Sequence, residues 1–339
     1  MAASTVRIAL AELTSLARRA LQSLGFDHDD ADLIARVLVW ADQRGHESHG
    51  VARIMRYGDF IKRGDMDPKA RPHLKLDIGA LKQMDGARAA GPIAMNEAVT
   101  SVIEGARAHG AAWVLIGQTT HTGPIGFFVD AIARQGMVGM AFAAGTPLMA
   151  YHGTAKPTVS TSPLALSVPM AGEDPFVLDM ATSIVAHGKI HHAARSGHSI
   201  PLGWALDEEG APTTDPHQAK VMLPLGGPKG SGLALAFEMI CSLGTSVPVL
   251  QNALVGKAPH IQNAALCAID ISRLQGLDEY KNNVADLAAL IKAQPRALGV
   301  HELLMPGERA TRTAHERALS GIPIGSKTLA QLQELAAPV

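Results

Sequence analysis

Hydrophobic residues recur at helical spacing through the first part of the chain. Over residues 9–24 the apolar side chains lie three or four positions apart, a pattern typical of an amphipathic helix. A second helix is predicted over Ala31–Gln43, with Asp29 or Asp30 as its N-cap, and a third over Val51–Arg63. The pattern therefore predicts that the chain begins with a helical unit.

Beyond this unit the pattern changes to short apolar runs, which are typical of buried strands. Residues 171–174 are too few to cross over a sheet, so the strands on either side of them must be antiparallel. This pair predicts an α/β fold with a mixed β-sheet flanked by helices, instead of a doubly wound parallel sheet. The predicted strands are 111–117, 137–144, 164–170, 175–180 and 264–270.

Further helical segments lie between and after these strands. Pro92 suits the first turn of a helix that runs to His109. Residues 207–216 are predicted to be a surface loop, and residues 244–263 lack periodicity, which predicts a long loop. The other predicted helices are 126–135, 182–194, 233–243, 278–293 and one that begins near residue 326.

The composition argues against several classes of protein. The chain has 339 residues, of which 47% are hydrophobic, and its net charge is −1. A balanced charge with only 4% aromatic residues argues against binding to nucleic acid or to a membrane surface. The two cysteines lie in apolar runs and indicate buried thiols in a reducing compartment. Because the sequence shows neither a signal-peptide pattern nor an apolar run of membrane-spanning length, we expect a soluble, cytoplasmic protein.

The stretch from Ala41 to Arg53 concentrates candidate chemistry. It contains two histidines, a serine and two arginines, together with two glycines. His49 and Arg53 are four positions apart, so in a helix they would share one face. His49 could then transfer a proton while Arg53 holds an anion. The alternative is a charged helix end with its cap, and this stretch alone does not decide between the two.

Three further segments carry candidate binding residues. Residues 120–126 link a strand to a helix and contain His121, and free N–H groups at a helix start attract anions. Asp179 lies at a strand-to-helix junction, where it could bind a cofactor or cap the helix. Residues 226–232 place four glycines around Lys229, the composition of a phosphate-binding loop. This loop matches neither the P-loop nor the Rossmann dinucleotide motif.

A metal site is the weaker interpretation of the histidines. The segment His46-Glu-Ser-His49 is one residue shorter than the His-Glu-x-x-His zinc motif. His187 and His191 would share a helix face, with His192 beside them, but no cysteine or carboxylate has the spacing of a further ligand. We therefore predict no metal. A zinc-dependent hydrolase and a non-catalytic ligand sensor stand as alternative hypotheses.

Taken in chain order, these segments resemble the malate/L-lactate/sulfolactate dehydrogenase family. This family consists of NAD(P)-dependent oxidoreductases with a non-Rossmann fold, and it includes ureidoglycolate dehydrogenase and the piperideine/pyrroline-2-carboxylate reductases. The resemblance extends from Arg44–Arg53 to Gly321–Ile324. Its most specific parts are Ser48-His49-Gly50 with Arg53, residues 178–183 and residues 226–230.

The resemblance implies a sulfolactate-dehydrogenase-like architecture in three parts. A helical N-terminal unit over residues 1–75 would carry the catalytic motif. A mixed-sheet dinucleotide-binding core would follow over residues 76–295. A C-terminal segment over residues 296–339 would pack with the first unit. The resemblance also implies a homodimer with its active sites near the subunit interface.

The resemblance further implies a role for each matched residue. His49 would be the acid that protonates the substrate, with Ser48 orienting it, and His121 would be the second active-site histidine. A histidine pKa near neutrality is expected for reversible proton transfer. Arg53 would bind the carboxylate of a small-molecule substrate. The substrate-binding residues would be Arg53, Thr161 and Ser162, and the residues that contact NADH or NADPH would be Thr122, Gly123, Pro124, Ile125, Gly126, Asp179, Met180, Ala181, Pro228, Lys229, Gly307 and Glu308.

Two departures from the family pattern bear on the substrate. Relatives usually have Gly-Thr-Asn-Pro where this chain has Ser160–Pro163, so Ser162 replaces an amide with a hydroxyl. The loop over residues 144–153 also differs from the common Asn-Thr-bearing version. Where the cyclic-imine reductases carry an acid, this chain has Lys189, as in the hydroxyacid dehydrogenases. The expected activity is the reversible reduction of a small 2-oxo carboxylate to the L-2-hydroxy acid. The alternative is the reduction of cyclic or N-alkyl imino acids to L-amino acids.

Overall fold

Helices and strands alternate along the chain, and a computed structural model describes them over residues 5–172, 174–257 and 260–337. The helices are α1 (Leu10–Ser23), α2 (His28–Gln43), α3 (Arg53–Lys62), α4 (Gly91–His109), α5 (Gly126–Ala133), α6 (His187–Ser196), α7 (Pro228–Glu238), α8 (Val249–Leu254), α9 (Leu277–Lys292), α10 (Glu308–Ser320) and α11 (Ser326–Leu335). The strands are β1 (Thr5–Ile8), β2 (His73–Asp77), β3 (Leu81–Asp85), β4 (Ala111–Thr119), β5 (Met137–Ala144), β6 (Leu164–Val168), β7 (Phe176–Met180), β8 (Ala205–Leu206), β9 (Pro212–Thr213), β10 (Val221–Met222), β11 (Gln262–Asp270) and β12 (Ile322–Gly325). Within these residues, each helix is too short or too polar to cross a membrane.

Seven strands form one mixed sheet, in the order β2-β3-β4-β11-β5-β6-β7. β3 and β4 are parallel, and the other neighbouring pairs are antiparallel. Consequently β3, β4, β5 and β7 run in one direction and end at the same edge of the sheet. The predicted mixed α/β fold is confirmed, including the antiparallel pair β6 and β7. Residue 173, in the predicted loop between that pair, lies outside the described residues.

Helices cover both faces of this sheet. α4 and α5 pack on one face, where Met95 and Phe128 are fully buried. On the other face Phe237 of α7 stacks on Phe142, with ring centroids 4.5 Å apart. β11 lies in the middle of the sheet and is buried over most of its length. Burial on both faces explains why its sequence is a continuous apolar run.

The N-terminal helices share a second core with the end of the chain. Leu13 of α1 packs in one cluster with Ile322 of β12 and Leu332 of α11, and all three side chains are fully buried. β1 pairs antiparallel with β12, so that Val6 lies opposite Ile324. The two ends of the chain therefore build one packed unit beside the sheet.

Three predicted details of the elements are wrong. The Asp27 carboxylate accepts a hydrogen bond from the Asp30 N–H at 3.0 Å, so Asp27 is the N-cap of α2, in place of Asp29 or Asp30. The helix predicted from residue 182 begins at His187, because the preceding backbone bonds to neighbouring segments. The predicted loop 244–263 contains α8 and the start of β11.

Other elements have no signal in the hydrophobic pattern. In β2 every residue is exposed, and in α10 the buried side chain is Ala314, so neither shows an apolar face. The predicted surface loop 207–216 contains β9, which forms a small sheet with β8 and β10. Two-residue strands of this kind are too short to show alternation.

Candidate active site

The segment that carries His49 connects α2 to α3 and is held by a buried carboxylate. Asp42 of α2 accepts a hydrogen bond from the Val51 N–H at 2.7 Å. Gly50 lies against the same carboxylate, since a Cβ at this position would be 1.9 Å from Asp42 Oδ1. Burial raises the pKa of Asp42 to about 7. The turn between the two helices therefore requires glycine at position 50.

The C-terminal helix α10 supports the same turn from its other side. Arg317 of α10 donates a hydrogen bond to the Asp42 carbonyl oxygen and forms an ion pair with Glu47 at 3.3 Å. The Gln43 side-chain amide donates to the Ala314 carbonyl oxygen at 3.3 Å. The position of the His49 segment thus depends on residues more than 260 positions later in the chain.

Ser48, His49 and Arg53 are brought together, but not on one helix. A 3-10 turn ends at His49, the backbone is extended at Gly50, and α3 begins at Arg53. The expectation that His49 and Arg53 share a helix face is therefore wrong. Instead, Arg53 Nε donates to the Ser48 carbonyl oxygen at 2.6 Å, and Ser48 Oγ lies 2.9 Å from His49 Nδ1.

His121 completes this cluster from the end of β4. Its ring lies against the ring of His49, with centroids 5.6 Å apart and an interplanar angle of 28°. The Tyr57 hydroxyl of α3 lies 3.0 Å from His121 Nδ1. His121 Nε2 is buried and has no hydrogen-bond partner in the described part of the chain. A buried polar atom left unpaired costs about 1–3 kcal/mol, so this nitrogen marks a place for a ligand atom.

The cluster is positively charged and contains two neutral histidines. Removal from water, and then the charge of Arg53, lower the pKa of His49 to about 3. The same two causes lower the pKa of His121 well below its ordinary value. Without a ligand, the pKa values of His49 and His121 are therefore below the near-neutral value expected for proton transfer. The terminal nitrogens of Arg53 make no hydrogen bond or ion pair to the described residues, which leaves them available for an anion.

The segments predicted to bind the cofactor meet along β7. Asp179 of β7 accepts a hydrogen bond from the Gly126 N–H at 2.9 Å. This contact joins the segment of Thr122, Gly123, Pro124 and Ile125 to Met180 and Ala181, and it makes Asp179 the cap of α5. Burial raises the pKa of Asp179 to about 6. Asp179 thus caps α5, and it does not cap the helix that follows it in the sequence.

Two other predicted segments approach the same strand. A Cβ at Gly307 would lie 2.7 Å from the Val177 carbonyl oxygen, so the turn before Glu308 packs directly on β7. A Cβ at Gly230 would lie 2.5 Å from the Thr182 carbonyl oxygen, which brings Pro228 and Lys229 to the end of β7. Glycine at these two positions permits backbone approaches that a side chain would prevent.

The predicted substrate residues lie beside this strand as well. Thr161 accepts hydrogen bonds at its carbonyl oxygen from Thr182 N and Oγ1, at 2.9 and 2.8 Å. Ser162 is fully buried, has φ of 22°, and its hydroxyl has no partner among the residues described. No hydrogen bond between described residues joins Thr161 or Ser162 to His49, so their role in binding stays a prediction.

The residues along β7 fit a dinucleotide. β7 is the edge strand of the sheet and all five of its residues are only half-buried, so part of the strand stays accessible beside the turn at Gly307. Gly226 and Gly227 both have positive φ just before α7, and the exposed Lys229 forms no ion pair with any described residue. A helix start with a free cation suits a phosphate group.

α6 begins next to the segment that carries Ser48 and His49. A Cβ at Gly188 would lie 2.6 Å from Ser48 Cβ. Partial removal from water, and then the charge of His191, lower the pKa of the exposed His187. The rings of His187 and His191 are 4.3 Å apart. Over the described residues, no group of three histidine, cysteine or acidic side chains is placed to hold a metal ion.

Known proteins match this chain over almost its whole length. The family model of malate/L-lactate dehydrogenase matches residues 8–333. The chain belongs to this family. It is 32% identical to malate dehydrogenase of Pyrococcus abyssi (98% of this chain, 94% of that protein). It is 37% identical to (2R)-3-sulfolactate dehydrogenase (NADP(+)) of Chromohalobacter salexigens (92% and 93%), and 31% identical to Delta(1)-pyrroline-2-carboxylate reductase of Ancylobacter novellus (97% and 97%).

A solved structure agrees with this assignment. Sulfolactate dehydrogenase from Methanocaldococcus jannaschii superposes with a TM-score of 0.87 at 32% identity, over 97% of this chain and 96% of that one. The predicted family, fold and class of enzyme, an NAD(P)-dependent oxidoreductase, are confirmed. Both substrate types considered in the sequence analysis, hydroxyacids and a cyclic imino acid, occur in the names of the relatives.

Sequence reasoning missed three residues that hold the predicted site segments in place. Asp42 lies at the start of the Ala41–Arg53 stretch, where nothing in the sequence marks it as the anchor of the turn. Tyr57 has the four-residue spacing from Arg53 that places both on one face of α3. Gln262 accepts a hydrogen bond from the Thr122 N–H at 3.0 Å, from a strand 140 positions later. Tyr57 could have been found from its spacing, whereas Gln262 has no local signal.

Replacement of Asp42 by asparagine should change how stability depends on pH. In the folded protein the pKa of Asp42 is about 7, above its ordinary value of 3.8, so the folded state holds a proton that the unfolded state releases. The wild type should therefore lose stability relative to Asp42→Asn as pH rises from about 4 to about 7. Asparagine keeps an oxygen that can accept from the Val51 N–H. Urea unfolding at a series of pH values measures this difference.

The control for this prediction is Asp29→Asn. The Asp29 side chain is 99% exposed, so the substitution removes one carboxylate without changing a buried group. A constant difference in unfolding free energy between the wild type and Asp42→Asn across that pH range would contradict the prediction.

Proposed function

We propose that this chain reduces a small 2-oxo carboxylate to the L-2-hydroxy acid with NADH or NADPH, and catalyses the reverse reaction. One observation carries the proposal: the free terminal nitrogens of Arg53 lie beside the Ser48–His49 pair, with Arg53 Nε bonded to the Ser48 backbone. This arrangement offers an anion site and a proton donor in one cluster. Carboxylate and reducible carbonyl are adjacent in a 2-oxo acid, which fits two such groups side by side.

Arg53 has the first role in this mechanism. Its planar guanidinium can bind a carboxylate through two parallel hydrogen bonds. With the carboxylate bound, the charge of Arg53 is compensated, and its contribution to lowering the pKa of His49 becomes smaller. Substrate binding thus moves His49 toward the protonated form that reduction requires.

His49 would then supply the proton. When bound, the cofactor supplies the hydride that is added to the carbonyl carbon. Ser48 Oγ holds the ring of His49 at Nδ1, so Nε2 is the nitrogen left to face the substrate. A proton passes from His49 to the carbonyl oxygen, and in the reverse direction neutral His49 accepts it from the hydroxyl group.

The imino acids are the second candidate. The pyrroline-2-carboxylate reductase of Ancylobacter novellus matches 97% of this chain, and an imine would use the same carboxylate site and the same proton donor. Lys189 favours the oxo acid, because the cyclic-imine reductases that this chain resembles carry an acid at this position.

A substrate panel tests the proposal. Initial rates of NADH and NADPH oxidation should be measured with pyruvate, oxaloacetate and sulfopyruvate, and with pyrroline-2-carboxylate, piperideine-2-carboxylate and pyruvate mixed with methylamine. We expect turnover of at least one oxo acid without amine. Turnover with the imines alone would replace the proposed function with the second candidate, and no turnover in either group would contradict both.

Two variants test the assigned roles. Arg53→Lys keeps the charge but loses the planar fork, so KM for the accepted acid should rise about tenfold, since one charge-assisted hydrogen bond is worth about 1.5 kcal/mol or more. His49→Ala should lower kcat by at least about 100-fold, the range of general acid catalysis, while cofactor binding is kept. Arg63→Lys, directly after the last residue of α3, is the matched control. Equal KM values for Arg53→Lys and the control would refute the role of Arg53.

We also infer a homodimer in which α9 contacts a second copy. α9 has no buried residue among those described, although Leu287, Leu290 and Ile291 form one apolar stripe and are 59%, 63% and 45% exposed. A stripe at this spacing is normally covered.

Light scattering after gel filtration should show a dimer, and Leu290→Glu should shift it to a monomer. Leu319→Glu, at an exposed position of α10, should leave the dimer intact, and a dimer that survives both changes would exclude α9.

A cytoplasmic location is part of the same proposal. Cys241 and Cys267 are buried free thiols, and burial raises the pKa of both, that of Cys267 to about 11. Thiols in this state suit a reducing compartment.

We also propose that the mixed-sheet part of the chain binds the dinucleotide cofactor. Thr161 and Ser162 are proposed to bind the substrate.

A further inference from the structure

The Tyr57–His121 contact lies behind the proposed active site. The Tyr57 side chain is fully buried, and its hydroxyl is 3.0 Å from His121 Nδ1. No other hydrogen bond to this hydroxyl occurs within the described residues. Tyr57 also packs with the N-terminal helices in one core. Its ring is therefore fixed, and so is the position of its hydroxyl relative to His121.

The direction of this hydrogen bond follows from what each group can donate. Burial raises the pKa of Tyr57 above its ordinary value, so the phenol keeps its proton. In the part of the chain that the structure describes, Nδ1 of His121 is the one acceptor within reach of that proton. If Nδ1 carried a hydrogen, the phenol oxygen would accept it, and the buried Tyr57 O–H would be left without an acceptor among the described residues, which is costly. Nδ1 therefore accepts, and the proton of neutral His121 is on Nε2.

His121 Nε2 is in turn the atom without a partner. It is buried and bonds to no described residue, and the ring lies against His49, 5.6 Å between centroids. The pKa of His121 is held well below its ordinary value, so the ring stays neutral. The group that it presents beside His49 is accordingly a neutral N–H donor.

We propose that Tyr57 is a positioning residue that holds His121 as the Nε2–H tautomer, and that this N–H binds an oxygen atom of the substrate. The second half of this proposal rests on the proposed function, since it needs a carboxylate or carbonyl oxygen in the site. The two histidines then differ in role. His49 moves a proton, whereas His121 gives a directional hydrogen bond and keeps its proton.

The tautomer is tested first, in the ligand-free protein. Long-range ¹H–¹⁵N spectra distinguish a protonated ring nitrogen from an unprotonated one, and the His121 signals are assigned as those missing in His121→Gln. In the wild type we expect Nδ1 unprotonated and Nε2 protonated. In Tyr57→Phe, which removes the hydroxyl alone, the two tautomers should become mixed. Tyr280→Phe on α9 is the matched control and should leave the spectrum of His121 unchanged.

The effect on turnover is tested by a double-mutant cycle. Tyr57→Phe should lower kcat/KM of the accepted substrate about tenfold, the rate equivalent of one lost neutral hydrogen bond. His121→Gln places an amide N–H near the position of Nε2, and this donor needs no tautomer control. In the His121→Gln background, Tyr57→Phe should therefore cost less than about twofold, because the two residues act as one unit.

The two measurements separate the possible failures. A wild-type spectrum with Nδ1 protonated, or one that is the same in Tyr57→Phe, overturns the positioning role whatever the enzyme reduces. An equal loss of kcat/KM in both backgrounds overturns the action of Tyr57 through His121. If no substrate of the panel is turned over while the spectra are as expected, the proposed function and the substrate contact fail, and the tautomer assignment stands.

Discussion

The positive charge of Arg53 is the feature on which the proposed chemistry of this candidate site depends. Arg53 is surrounded by His49, His121 and Tyr57, and no carboxylate among the described residues contributes to the shifted pKa of any of these groups. A half-buried cation without a counterion is costly. In the proposed function an anionic substrate supplies the missing charge, and the same binding event reduces the repulsion that adds to burial in keeping His49 neutral. In that proposal, recognition of the carboxylate and activation of the proton donor are one electrostatic step.

The geometry around Arg53 is fixed by parts of the chain that are distant in sequence. Asp42 anchors the turn at Val51, and Arg317 of α10 holds the carbonyl oxygen of the same aspartate. α11 and β12 pack in the core of the N-terminal helices. α10, α11 and β12 are therefore as much a part of the unit that holds His49 and Arg53 as the motif itself. This packing agrees with the expected association of residues 1–75 and 296–339, although those boundaries stay a prediction.

The sequence predicted the parts of the fold and site that have a local signal. The apolar runs of β4, β5 and β11 are buried strands, and the segment of Ser48, His49 and Arg53 does bring its side chains together. It did not predict β2 or α10, because exposed elements lack an apolar period. Nor could it predict contacts such as Thr122 with Gln262, which depend on how distant strands pair. Nor could the sequence predict the lowered pKa of His49, because burial and the charge of Arg53 are tertiary effects.

The mixed sheet also explains how a dinucleotide site can arise without a Rossmann turn. In a Rossmann domain the pyrophosphate lies at the start of the helix that follows the first strand. Here the corresponding helix start, at α5, is already occupied by the chain's own carboxylate, Asp179. The backbone N–H of Gly126 is therefore satisfied without a ligand. The start of α7, with Lys229 and two glycines at positive φ, has no such internal anion among the described residues. The fold thus separates the helix start that stabilises the sheet from the one that we propose to bind a phosphate.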